Sequence, residues 1–480
     1  MALLALTAGD VTGDTANNDR ANRMPAAVSE DDQAPLLDAI ALSYAAIDQL
    51  RFKDHTGYVR ALDAARVAGL ADARKDLARV KHNLASLSGE LPTYALIHSV
   101  SADGTLHAWI VLPDGRVVAG ATTQRYTGLG TLAGGLGVDR IAATRGPQLK
   151  GQELQRLDAD EDGDSDGDRG AGNRRNSPEA IAKRRAVLED AAATLLPGDI
   201  RQVLAAREGR LLVVPIADTG TAPYAALPIR NPDDYAARRW SFVVMQDVKA
   251  LADSGSGSGF DMRNVDFSKS VVVGDPEDMR DVIYTFPPLK GARQEAQEIA
   301  RELGVDDQNL LIGASATRKN VVSAIDRSAG EGVIYMATHA VADPKHPLTR
   351  GFVVLSQSNL FAGELRTKSF TGWSTHQPLV VMSACQTALG RVFDGGTFGV
   401  ARTWTTAGAG QVVASLWNVS DKATLRLMTR FVAGLKDNKV PELAMRAAQL
   451  ETIKDYPNNP KMWASFTIIG KPSMNSGPMR

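Results

Sequence analysis

One cysteine, Cys385, occurs in 480 residues, which excludes an internal disulfide framework and any metal site built from cysteines. No run of eighteen apolar residues is present, so no segment reads as a membrane-spanning helix. Net charge is nearly absent, at −1, and offers no broad attraction for nucleic acid or an anionic membrane. There is no G-x-x-x-x-G-K-[ST] loop; Gly291-Ala-Arg-Gln-Glu-Ala296 and the scattered glycines form no nucleotide site, and no cofactor is expected. Met1-Ala-Leu-Leu-Ala-Leu-Thr-Ala-Gly9 has no basic flank and a short apolar part, so a cytoplasmic location is expected over export.

What remains is an ordinary globular composition, 44% hydrophobic and 23% charged, in a chain long enough for two to four domains. Residues 1–35 are polar and read as a disordered leader. Leu37, Ile40, Ala41, Tyr44, Ile47 and Leu50 recur at helical spacing, and residues 36–90 form a helical segment. Tyr94–Val100, Leu106–Leu112 and Arg116–Thr123 are separated by Ser-Ala-Asp-Gly and Pro-Asp-Gly turns and predict an antiparallel meander. Buried strands are expected at Arg210–Pro215 and Ser241–Met245. The Gly/Ser stretch from Ala252 to Gly259 reads as a flexible linker, drawn at 251–264. Strands then alternate with helices: strand 270–274, helix 291–303, strand 309–312, helix 317–328, strand 333–337, strand 379–383, helix 396–407, strand 411–415 and helix 420–435. The pattern is α/β, with a mainly parallel sheet flanked by helices.

Two of those strands end on reactive residues. Gly332-Val-Ile-Tyr-Met-Ala-Thr-His339 ends on an imidazole, and Pro378-Leu-Val-Val-Met-Ser-Ala-Cys-Gln-Thr387 on the only thiol. Reactive groups collect at the carboxyl edge of open α/β sheets. An imidazole beside a thiol is the minimum apparatus of a cysteine hydrolase, because thiolate is the nucleophile. Either residue alone is as well explained as a packed strand-end side chain. The histidine precedes the cysteine, the reverse of the papain order.

Met336-Ala-Thr-His-Ala340, Met382-Ser-Ala-Cys-Gln-Thr-Ala-Leu-Gly390, Ala414-Ser-Leu-Trp-Asn-Val-Ser-Asp421 and Met462-Trp-Ala-Ser-Phe-Thr-Ile-Ile-Gly470 occur in that order. Upstream are Leu212-Val-Val-Pro-Ile216, Tyr224-Ala-Ala-Leu227, Val273-Gly-Asp-Pro276 and Pro288-Leu-Lys-Gly-Ala292. The ordered set, over roughly residues 90–472, resembles the CHAT domain, a caspase-like peptidase domain related to separase. The resemblance implies a caspase-like fold, a catalytic lobe at 265–473 and a second, non-catalytic caspase-like lobe at 91–250. It implies His339 as general base and acid and Cys385 as nucleophile of an endopeptidase. It also implies an oxyanion hole from the backbone N–H groups of Ala340 and Cys385. Alanine stands at 340 where the family has glycine, and a positive φ there would strain its β-carbon.

By the same resemblance, Ser415, Trp417 and Asp421 lie in the primary substrate pocket, with Asp421 receiving a basic P1 side chain. Ser420 or Asp421 reads equally as an N-cap. Asp343 is an orienter of the imidazole or part of a turn. The acidic stretch Asp158–Asp168, within an insertion at about 157–177, has the opening of a calcium loop. It puts Arg169 or Asn173 where a bidentate Glu is needed, so a solvated insertion is the reading and no metal site is assigned. Arg169-Gly-Ala-Gly-Asn-Arg-Arg175 is a candidate processing site. His98 and His107 are read as surface residues of the meander.

The expected partners are a specific protein substrate and an activating partner, without direct nucleic-acid or membrane contact. The family's targets include bacterial gasdermins and CRISPR-linked proteins, and no residue here selects either. Two other classes stay open: a caspase-fold scaffold without activity, and a cysteine hydrolase or acyltransferase acting on small molecules.

Overall fold

The structure, a computed structural model, describes residues 24–49, 58–89, 91–101, 103–129, 132, 136, 148–149, 177–256, 260–287, 289–341, 350–383, 390–393, 396–417 and 421–474. Helices α1 (Ala34–Gln49) and α2 (Tyr58–Leu87) lead into strands β1 (Thr93–Val100), β2 (Thr105–Val111) and β3 (Val117–Arg125). After β4 (Gln148–Leu149) come α3 (Pro178–Leu195), α4 (Gly198–Ala206), β5 (Gly209–Val214), β6 (Trp240–Val244) and α5 (Val248–Ala252). Next are β7 (Val271–Pro276), β8 (Tyr284–Thr285), α6 (Lys290–Leu303), β9 (Leu310–Gly313), α7 (Arg318–Ser328) and β10 (Ile334–Ala337). Three short strands follow, β11 (Ala340–Val341), β12 (Phe352–Val353) and β13 (Leu360–Phe361), then α8 (Ala362–Thr367), α9 (Trp373–His376) and β14 (Leu379–Met382). The chain closes with the hairpin β15 (Gly390–Phe393) and β16 (Gly396–Gly399), α10 (Val400–Thr406), β17 (Gln411–Ser415), α11 (Asp421–Lys436), α12 (Pro441–Asp455) and β18 (Phe466–Gly470).

Eleven strands make one sheet in the order β3-β2-β1-β5-β6-β18-β17-β14-β10-β7-β9. All pairings are parallel except β1–β2, β2–β3 and β17–β18. This is the mainly parallel, helix-flanked α/β sheet expected, with the predicted meander at one edge. Runs such as Val271-Val-Val and Leu379-Val-Val-Met are apolar on both faces because both faces are covered. Val273, Met336, Met382 and Ala414 pack on one side with Val203 of α4, Ile325 of α7 and Trp404 of α10. Val272, Tyr335, Val381 and Val413 face Ile40 of α1, Leu77 of α2, Ala296 of α6 and Phe431 of α11. Gly274 lets α6 approach closely, since a β-carbon there would lie 2.4 Å from that of Ala296.

The two half-sheets meet at β6 and β18, whose ladder is the single pair Val244–Ile469. Because β18 is antiparallel to β17, the strands β1, β5 and β6 run opposite to β7, β10, β14 and β17. The seam is fastened by a buried ion pair. Arg210 of β5 donates from Nε and Nη2 to Glu442 Oε1 of α12, at 3.0 and 2.6 Å. Its Nη2 also donates to Ser473 O and its Nη1 to Leu87 O, while Ser473 Oγ donates to Glu442 Oε2.

Several expectations are corrected. His98 is buried rather than at the surface, with Nε2 donating to Leu195 O at 2.9 Å; β1 is covered on both faces once α3 packs across it. Desolvation lowers its pKa to about 4. His107 is partly exposed. The helix expected from 396 begins at Val400, because the glycines of Gly396-Thr-Phe-Gly399 belong to the hairpin. In the segment read as a linker, Ser254, Phe260 and Met262 are buried, and Phe260 bridges Ser473. Within the segment read as leader, Val28 N donates to Val117 O. The acidic insertion and Arg169–Arg175 lie outside the described residues.

Two stability measurements follow. Glu442→Ala leaves Arg210 buried without its counter-charge and should lower the urea-unfolding free energy by about 3–5 kcal/mol. His98 is neutral in the fold, whereas the unfolded chain takes up a proton below its ordinary pKa of 6.5. Stability present above pH 6.5 should therefore be lost as pH falls toward 4, by up to about 3 kcal/mol, and His98→Gln should flatten that dependence. Equal pH profiles for both proteins would refute the assignment.

Candidate active site

Strand β10 ends where Thr338 Oγ1 donates to Val354 O at 2.7 Å and Val354 N donates to His339 O at 2.9 Å. These bonds peel the chain off the main sheet into the small antiparallel sheet β11-β12-β13. His339 sits at that switch, fully buried. Its Nε2 lies 2.8 Å from Pro287 O. A carbonyl only accepts, so Nε2 carries the hydrogen and Nδ1 is the basic nitrogen of the neutral ring. The Phe286 ring lies 5.7 Å from the imidazole, centroid to centroid, inclined by 32°.

The segment that delivers Phe286 and Pro287 leaves β7 with Asp275 and Asp278 in left-handed conformations, which aspartate tolerates better than most residues. Arg293 of α6 fixes its start, donating from Nε to Asp275 and from Nη2 to Glu277 at 2.8 and 3.0 Å. Asn359 Nδ2 holds the middle, donating to Arg280 O and Asp281 Oδ2.

Ala340 does not have positive φ, so its β-carbon brings none of the strain anticipated from replacing glycine. The Val354-to-His339 bond and the Ala340–Val353 pairing make 340 a non-hydrogen-bonded position of the ladder, which directs its N–H away from β12.

Cys385 lies outside the described residues, which reach Ser383 one residue past β14. Strands β10 and β14 pair Ile334–Val380, Tyr335–Val381 and Met336–Met382, a constant offset of 46 (380 − 334). His339 and Cys385 are separated by the same 46 (385 − 339). Beneath this edge Tyr335 donates its hydroxyl to Glu295 Oε1 of α6 at 2.5 Å, and both side chains are buried. Burial and the adjacent carboxylate push the tyrosine pKa well above its ordinary value.

Strand β17 neighbours β14, and its last residue, Ser415, is fully buried opposite Phe466. Trp417 is buried in the core, its Nε1 donating to Lys461 O at 3.1 Å. Asp421 is the first residue of α11, described here by its backbone. Asp343 and Ser420 lie outside the described residues. The ends of β10, β14 and β17 thus form one edge carrying His339, Ser383 and Ser415. The Pro287 carbonyl, the Phe286 ring and the Tyr335–Glu295 pair were not legible in advance. Only the neighbouring Pro288-Leu-Lys-Gly-Ala292 motif pointed to that stretch. Among the described residues, no cluster of His, Cys, Asp and Glu has the makings of a metal site.

Comparison with known proteins agrees with this architecture. The yeast (Saccharomyces cerevisiae) separase–securin complex at 3.0 Å superposes over 93% of this chain and 34% of separase, with a TM-score of 0.54 and 9% identity. At that identity the likeness concerns the fold. The Arg-specific cysteine proteinase gingipain R is also similar, with a TM-score of 0.36 and 12% identity over 63% of this chain and 76% of that chain. Tetratricopeptide repeat protein 28 of mouse is 26% identical over 317 residues, and the human protein 24% over 315. Each match covers 57% of this chain and 12% of the relative, so the chain spans a small part of those proteins. The family model for the CHAT domain matches residues 185–471, more than half of the chain, and the protein belongs to the CHAT domain family.

Proposed function

We propose that this protein is a cysteine endopeptidase that cleaves a specific protein substrate through a His339–Cys385 dyad. The observation that carries the reading is the register of β10 and β14, whose offset of 46 equals the sequence separation of His339, two residues past β10, and Cys385, three residues past β14 in sequence. His339 Nδ1 takes the thiol proton, and the thiolate attacks the scissile carbonyl. The backbone N–H groups of Ala340 and Cys385 receive the oxyanion. The imidazolium then protonates the leaving amine, and the neutral ring activates water to hydrolyse the thioester. Pro287 O holds the ring in the tautomer this requires.

Asp421 selects a basic P1 side chain, and the enzyme works in a regulated bacterial pathway in the cytoplasm. A gasdermin-like substrate and an activating partner fit that role. No described helix is long and apolar enough to cross a membrane. A second reading, a caspase-fold interaction module without activity, is supported by the curated relatives, which are named for tetratricopeptide repeats rather than for catalysis.

Incubation with an arginyl acyloxymethyl ketone, read by intact mass, tests the dyad. One adduct is expected on the wild type and none on Cys385→Ala. His339→Ala should react at least about 100-fold more slowly. Equal rates for His339→Ala would remove the base, and absence of any adduct favours the interaction module. Asp421→Asn should reduce the preference for arginyl over leucyl warheads about 10- to 100-fold, the loss of one charge-assisted pair. An unchanged ratio would place P1 recognition elsewhere.

A further inference from the structure

Large apolar side chains that stay exposed are few among the described residues: Met24, Val282, Ile283 and Phe361. Three of these four lie on two segments near the candidate catalytic histidine, the loop after β7 and strand β13. Val282 is 90% exposed and Ile283 56%, both on the segment that four to five residues later presents Pro287 to His339. Phe361 lies on β13, and residues 279–281 are tied to the turn before it by the Met279–Ser356 bridge and the Asn359 bonds. Adjacent exposed aliphatic groups, on a loop that Asn359 holds at residues 280–281, make a candidate interaction surface.

A chain of aromatic rings links Phe361 to the candidate catalytic histidine. Phe286 is 5.7 Å from His339, Phe352 is 6.4 Å from Phe286, and Phe361 is 5.2 Å from Phe352, all centroid to centroid. Tyr284 joins the same group, 6.2 Å from Phe352. Val341, Phe352 and Val354 form a small apolar cluster of their own here, separate from the two main cores. An extended chain advances about 3.4 Å per residue, so it covers the three steps from His339 to Phe361 in about five residues. Among the described residues β13 has a strand neighbour on one side alone, β12, which leaves an edge suited to an extended peptide.

We propose that Val282, Ile283 and Phe361 form an apolar subsite for the substrate chain, seating a Leu, Ile, Met or Phe side chain within about five residues of the scissile bond. The proposal rests on the peptidase reading and narrows its substrate class. A P1 residue alone recurs throughout any proteome; a second, apolar requirement at a fixed distance makes a specific protein recognisable.

A proteome-derived peptide library digested with the full chain, with cleavage sites read by mass spectrometry, tests it. Wild-type cleavage sites should be enriched in Leu, Ile, Met or Phe at one fixed position within that reach. The Val282→Ser/Ile283→Ser double variant should lose the enrichment and cut the enriched peptides about tenfold more slowly. Both side chains are solvent-facing, so its melting temperature should match the wild type. Phe361→Ser should act in the same direction. Cleavage without enrichment, or enrichment unchanged in the double variant, overturns the subsite and leaves the peptidase reading intact. No cleavage dependent on Cys385 overturns both.

Discussion

A buried arginine bonded to a buried glutamate holds this molecule together at its least continuous place. The half-sheets share one residue pair between β6 and β18, too little to fix their relation through backbone bonding. Arg210 and Glu442 supply what the ladder does not. Together with Leu87 O and the Ser473 hydroxyl and carbonyl they join the end of α2, strand β5, helix α12 and the segment after β18. Charges taken out of water are costly, and an apolar pair of equal volume would serve stability as well or better. What the ion pair adds is direction: a guanidinium fork satisfied by oxygens from three different segments admits one arrangement of them.

With that seam fixed, the edge that carries the candidate site follows from strand order. The ends of β10, β14 and β17 are adjacent because the strands are parallel and in sequence across the sheet. The candidate catalytic side chain, His339, is held by parts with no such candidacy of their own: a carbonyl, a phenyl ring and a loop pinned by Arg293 and Asn359. Precision at the imidazole therefore depends on a segment more than fifty residues upstream.

The parallel core was legible because strands buried on both faces leave a continuous apolar signature, as in Val271-Val-Val and Leu379-Val-Val-Met. The meander was legible through its Asp-Gly turns. His98 misled because a histidine in a meander with one wet face would be exposed, and nothing local announces that α3 covers it. The hairpin β15–β16 misled because its glycines sit inside an otherwise helical stretch. In the candidate site, His339 stood out by residue type after an apolar strand pattern; Cys385, marked in the sequence the same way, lies outside the described residues. Pro287 contributes a main-chain oxygen, which every residue possesses, so no substitution pattern in a single sequence could mark it.

The opposed directions of the two half-sheets have a geometric consequence. Open α/β sheets receive ligands at the carboxyl ends of their strands. Here β1, β5 and β6 finish on one rim of the sheet while β10, β14 and β17 finish on the other. The molecule therefore has two poles. A regulator settling at the far pole would not touch a ligand at the near one, and its influence would have to cross the seam that Val244–Ile469 and the Arg210–Glu442 pair span.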